Sequence, residues 1–158
     1  MEPYIFAFIG NREVRNRKAV FDSLLDYLEY ECFQYNNFSD LWYPVFYCGG
    51  YGEFSQIVSE VIDLARKRNP DFYTEKLLIV PYNTPSYLKT LEYVKDFYDE
   101  LVYPPLERVP MRYAIVRRNE WMIDQCNKLV VHMWNPISNT GKFVQYAKRK
   151  NKEILYIK

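Results

Sequence analysis

Three glycines crowd one short turn, Gly49-Gly50-Tyr51-Gly52, between an apolar run that ends at Cys48 and a helical pattern that opens with Glu53 and Phe54. A glycine has no Cβ, so its backbone can approach a ligand closely. A helix that starts just behind such a turn presents unpaired N–H groups and the positive end of its dipole. Together these features suit a phosphate, and the expected ligand is a nucleotide or a nucleotide derivative. The spacing is neither the full G-x-G-x-x-G fingerprint nor a P-loop, because no Gly-Lys-Ser/Thr follows. A carboxylate beside a phosphate is repulsive, so Glu53 is expected to accept a ribose hydroxyl instead.

Further candidates lie at other turns. Gly10-Asn11-Arg12 supplies a flexible residue, an amide and a planar guanidinium suited to phosphate or carboxylate. Arg118 precedes Met122 by four residues, so the two share one helical face. With Met122 in the core, Arg118 is brought near the sheet, where an unpaired charge is costly unless an anion meets it. Its neighbour Asn119 joins the candidate set, ahead of Arg117. The polar loop from Asn135 to Gly141 carries Ser138, Asn139 and Thr140, any of which can cap the next helix. The same amides can hold a second anion. Tyr51, Tyr82 or Trp134 can stack on a base. His132, the one histidine, sits inside an apolar run and reads as a core residue. No triad, no zinc spacing and no clear carboxylate pair stands out. No motif asks for a metal or a cofactor.

Those turns need a scaffold, and short continuous apolar runs supply one. They cover residues 4–9, 43–48, 76–80, 128–134 and 153–157, with a weaker sixth at 100–103. Continuous rather than alternating, they suit strands covered on both faces. Helical patterns separate them. Phe54, Ile57, Val58, Val61, Ile62 and Ala65 fall on one stripe, and Val20, Phe21, Leu24, Leu25 and Leu28 on another. Further helices are expected over 85–98, 113–126 and 140–150, and a plain loop over 103–110. Such alternation predicts right-handed βαβ crossovers and a doubly wound, mostly parallel sheet of five to six strands with helices on both faces. Ligands then bind at the carboxyl ends of the strands, where the polar and glycine residues collect.

The 158 residues are expected to form one domain, and an apolar share of 49% argues for a packed core. Charge nearly cancels, 21 basic against 20 acidic residues, so no global field draws in nucleic acid or membrane. The basic run Lys148-Arg149-Lys150 reads as a solvated helix end whose cations complement the dipole. Most of the 16 tyrosines are expected in the core and at interfaces. Cys32, Cys48 and Cys126 are too scattered for a disulfide framework, which fits a reducing cytoplasm. Residues 4–9 are too short and lack the basic flank of a signal peptide. No apolar run is long enough to span a membrane.

In its order of elements the chain resembles the SLOG superfamily, Rossmann-like proteins related to the LOG-type phosphoribohydrolases and the DNA-processing protein A family. Phe8-Ile9-Gly10-Asn11-Arg12 resembles the family's first strand and glycine-bearing exit. Cys48-Gly49-Gly50-Tyr51-Gly52-Glu53 resembles its glycine-rich turn, and is most similar to short uncharacterised bacterial members. Arg118-Asn119-x-x-Met122 resembles the Arg-x-x-x-Met element, and Thr140 stands where LOG enzymes carry the threonine of P-G-G-x-G-T-x-x-E. Their catalytic glutamate, however, falls at Phe143, and the glycine pair of that loop is Ser138-Asn139. The resemblance implies a Rossmann-like fold, a nucleotide or ADP-ribose-like ligand that is sensed or sequestered in a bacterial or phage setting, and self-association into a homo-oligomer. It does not extend to the LOG chemistry. The enzyme alternative, N-glycosidic cleavage, would need Glu53 or Glu120 as its carboxylate. A third class is single-strand nucleic-acid binding, disfavoured by the near-zero net charge.

Overall fold

The computed structural model describes residues 2–34 and 41–158. Six strands, β1 (Glu2–Gly10), β2 (Trp42–Cys48), β3 (Glu75–Ile79), β4 (Glu100–Val102), β5 (Lys128–His132) and β6 (Glu153–Tyr156), form one sheet in the order β4-β3-β2-β1-β5-β6. Every pairing is parallel. The chain winds from β1 out to β4, then crosses back to lay β5 on the other side of β1. The direction of winding therefore reverses between β1 and β5, and that switch point opens a crevice at their carboxyl ends.

Side-chain alternation along β1 explains the layering. Phe6 and Phe8 pack under α1 (Arg17–Leu28) and α2 (Gly52–Arg68), while Ala7 and Ile9 face α4 (Ala114–Gln125) and α5 (Asn139–Arg149). All four are buried, so β1 is covered on both faces as its continuous apolar run predicts. The expected stripe on α2, Phe54 to Ala65, is buried in full. A buried cation also joins α2 to the sheet. Lys76 of β3 is 0% exposed, and its Nζ donates to Ser59 Oγ at 2.7 Å, to the Ser59 carbonyl at 3.3 Å and to Asp63 at 2.8 Å. The Tyr98 ring lies 4.6 Å from the same nitrogen. These contacts fix α2 along its length and hence the direction of its first turn.

Three helices differ from expectation. Past Leu28 the chain continues as a π-helical turn, Glu29–Gln34, which carries Cys32 and Phe33 into the core. The helix expected over 85–98 is only α3 (Pro85–Thr90), capped by the Thr84 hydroxyl. No residue of α3 is buried, so packing gives a longer helix nothing to stabilise it. A 3₁₀ turn (Met111–Tyr113) precedes α4. Among the described residues no helix is long and apolar enough to cross a membrane.

All three cysteines are buried and free. Burial pushes the Cys126 thiol from 9.0 up to about 11 and Cys48 to about 12, and drives Cys32 well above its ordinary value. The unfolded chain therefore ionises these thiols first as pH rises. Their contribution to stability is complete below pH about 9 and drains away for Cys126 between about 9 and 11. We expect no reaction with Ellman's reagent in the native state and three reactive thiols after denaturation. The melting temperature is expected to fall as pH is raised through that window.

Candidate functional site

A cleft of about 820 Å³ lies at the carboxyl ends of β1 and β5. Four chain segments bring expected residues to it: Gly10, Asn11 and Arg12 after β1; Gly49 and Tyr51 after β2; Arg118 and Asn119 from α4; Asn135, Ser138, Asn139 and Thr140 before and within α5. Gly50, Gly52, Glu53 and Tyr82 do not line it. A smaller hollow of about 530 Å³ lies at the amino ends of β3 and β4. Its Glu75, Asp99 and Glu100 outnumber Arg66, which makes it a poor place for a phosphate.

Arg118 is the electrostatic centre of the cleft. It shares the buried face of α4 with Met122, and it is only 2% exposed. Its Nη1 donates to the carbonyl of Ile79 at 2.7 Å and that of Gly49 at 3.0 Å, and its Nε to Asn119 Oδ1 at 2.8 Å. The guanidinium thus ties together the ends of β2 and β3. No protein partner for Nη2 is found among the described residues. Burial pulls Arg118 down from its ordinary value to about 10, and the groups acting against that shift are Tyr87, Tyr51 and Tyr82, none of them a carboxylate. At neutral pH the group stays charged, desolvated and without a counter-ion.

Two helices aim their first turns at this place, and neither has a side-chain cap. The N-cap of α5 is Ser138, whose hydroxyl is engaged elsewhere, donating to the Asn135 carbonyl at 2.6 Å and accepting from Asn11 Nδ2 at 2.8 Å. The capping expected of Ser138, Asn139 or Thr140 is therefore absent. The N-cap of α2 is Tyr51, which makes no such bond either. One amide of that turn is already taken, because Glu53 N–H donates to the Arg12 carbonyl at 2.8 Å. This bond holds the exits of β1 and β2 together and accounts for the position of Glu53 away from the cleft.

The contact between those exits explains Gly52. Its φ is +82°, and a Cβ there would lie 2.9 Å from the Arg12 Cα. We expect Gly52→Ala to destabilise the fold by about 1–3 kcal/mol, measured by urea unfolding.

Asn11 acts mainly as a latch. Its Oδ1 accepts from Trp134 N–H at 3.0 Å while its Nδ2 reaches Ser138, so one side chain bridges two strand exits. Trp134 in turn donates its indole N–H to the Glu13 carbonyl at 2.8 Å, and the Arg15 guanidinium stacks 3.8 Å from its ring centre. Tyr82 is not part of the cleft lining. Its hydroxyl reaches the Met111 carbonyl at 3.4 Å and its ring meets Tyr87 edge-on at 5.0 Å. His132 is a core residue as expected, 6% exposed, with Nδ1 2.9 Å from the Ile157 carbonyl.

Sequence reasoning missed the far part of the cleft. Lys142, Phe143, Tyr146 and Arg149 of α5, Ile115 and Val116 of α4, and Glu13 and Ser55 all line it. Spacings of three and four along α5 carried that signal. Of the two carboxylates weighed for an enzyme, Glu120 lines the cleft and Glu53 does not. Phe143, 9% exposed, belongs to the core beneath the cleft.

Comparison with known proteins adds one finding. A crystal structure of DNA processing protein A (DprA) from Streptococcus pneumoniae superposes with a TM-score of 0.61 at 15% identity. The match covers 98% of this chain and 50% of that one, so the chain spans about half the length of its structural neighbour. The likeness shows the fold. This chain has the Rossmann-like arrangement of all-parallel strands and flanking helices found in that protein. No family model matches the sequence, and no curated protein matches it.

Proposed function

We propose that the protein binds a nucleotide-type phosphorylated ligand at the carboxyl edge of the sheet. One observation carries this reading: the buried, charged Arg118 has no carboxylate partner, and its cleft also receives the uncapped first turn of α5. A phosphate there would accept from Arg118 and from the α5 amides, and would supply the counter-charge that the protein lacks. Tyr51 at the rim, 43% exposed, offers a face for a base. Phe143 stands where a LOG-type glutamate would act, which supports holding the ligand over cleaving it. The test is a thermal-shift screen of nucleoside monophosphates, ADP-ribose and the matching nucleosides. A ligand at a hundred times its Kd should add about 2.7 kcal/mol of stability. Phosphorylated compounds should raise the melting temperature and nucleosides should not; a screen in which no phosphorylated compound acts defeats the reading.

A second reading is single-strand nucleic-acid binding. It is favoured by four arginine–aromatic contacts, Arg15 with Trp134 at 3.8 Å, Arg112 with Tyr113 at 4.9 Å, Arg149 with Tyr146 at 5.8 Å and Arg118 with Tyr51 at 5.9 Å. Aromatic faces and cations side by side suit stacked bases, and the structural neighbour is named for DNA processing. Labelled oligonucleotides should then bind with a salt-dependent affinity. No change in fluorescence anisotropy at low salt removes this reading.

A further inference from the structure

The cleft does not stop at the first turn of α5. Asn139, Lys142, Phe143, Tyr146 and Arg149 all line it, and they form one stripe running the whole length of that helix. Across from them stand Ile115, Asn119 and Glu120 of α4. The site is thus a groove between two helices, and beside it the Tyr146 hydroxyl donates to Asp124 at 2.8 Å. From Asn139 to Arg149 the stripe extends about 15 Å at 1.5 Å per residue. A mononucleotide anchored at Arg118 and the α5 amides would leave the far half of this groove empty.

The charges in that far half favour an anion. Glu120 faces Arg117 at 3.8 Å, and Asp124 accepts from Tyr146 and lies 3.9 Å from Lys150, so both carboxylates are engaged. Lys142 and Arg149 have no ion-pair partner among the described residues. The Arg149 guanidinium rests 5.8 Å from the Tyr146 ring centre, an arrangement suited to a base or ribose laid along the helix. Phe143 gives the groove an apolar floor between its two cationic ends.

We propose that the ligand is a linear, multiply phosphorylated one of at least two nucleotide units. Its first phosphate sits at Arg118 and the first turn of α5, and a distal phosphate meets Arg149, with Lys142 between them. This rests on the nucleotide-binding reading above and adds the size class of the ligand. The same chemistry is offered by a free dinucleotide and by the end of a longer strand.

The test is calorimetric titration of the full chain with the 5′-nucleoside monophosphates, the matching dinucleotides pNpNp, and longer oligonucleotides. The dinucleotide is expected to bind at least about tenfold more tightly than its mononucleotide. Arg149→Ala should weaken the dinucleotide about fivefold and lower the slope of log affinity against log salt by about 0.7, with mononucleotide binding unchanged. A free dinucleotide as the source predicts no further gain with longer strands, whereas a strand end predicts one. Equal affinity for mononucleotide and dinucleotide, or an Arg149→Ala effect equal on both, overturns the size assignment alone. Failure of every mononucleotide and dinucleotide overturns the underlying reading as well.

Discussion

Arg118→Met is expected to abolish nucleotide binding while leaving a folded protein. The guanidinium is the one buried cation of the cleft, and a phosphate held by it gains charge-assisted hydrogen bonds worth about 1.5–3 kcal/mol each. Losing them should weaken binding by about a hundredfold or more. Stability responds to two opposed effects. The carbonyls of Gly49 and Ile79 lose their donor, which costs about 1–3 kcal/mol for each left unsatisfied. Removing a desolvated charge gives part of that back. A net loss of about 1–3 kcal/mol follows, or roughly 3–10 °C in melting temperature. Arg118→Lys separates charge from geometry. It keeps the cation but not the planar fork that spans two carbonyls, so an intermediate affinity is expected. Calorimetry with the ligand found for the wild type, alongside each variant's own melting curve, measures both effects. Undiminished binding by Arg118→Met would remove the guanidinium from the site.

The largest effect on stability is expected from Gly141→Ala. A Cβ at this position in the first turn of α5 would lie 1.9 Å from the Pro136 carbonyl oxygen and 2.8 Å from its carbon. These are backbone atoms, and no rotamer change can relieve the clash. The loop before α5 would have to move, and with it Ser138, whose bond to Asn11 links the exits of β1 and β5. We expect a loss of about 3 kcal/mol, or roughly 6–12 °C in melting temperature. Asn139→Ala, two residues away at an exposed position, should shift stability by less than about 0.5 kcal/mol. Urea unfolding of the two variants gives the comparison. Similar curves for both would mean that the loop before α5 is softer than its contacts imply.

Much of this fold was legible because long periodic elements override local detail. The α2 stripe from Phe54 to Ala65 has a clear helical period, and the β1 and β5 runs are too short and too branched to be anything but strands. Arg118 was legible for a related reason: its spacing to Met122 fixes its face once Met122 is placed in the core. Residues 91–98 were misread because Leu91, Val94 and Tyr98 look helical by spacing, yet the preceding α3 buries nothing that would hold a longer helix. Glu53 was placed in the site by its sequence position alone. The bond from its own amide to the Arg12 carbonyl belongs to tertiary structure, and no local pattern announces it. Tyr82 follows a strand end but turns onto Tyr87 for the same kind of reason. Arg149 was set aside because a cation in the last turn of a helix already has an explanation in the dipole. Only the packing of α5 against α4 shows that this turn also walls the cleft.

The central claim is tested most directly by a crystal structure of the protein with the nucleotide that stabilises it most. The account predicts the phosphate between Arg118 and the first-turn amides of α5, with oxygens at hydrogen-bonding distance from Nη2. A phosphate bound elsewhere, or a cleft filled by the base with no anion near Arg118, would contradict it.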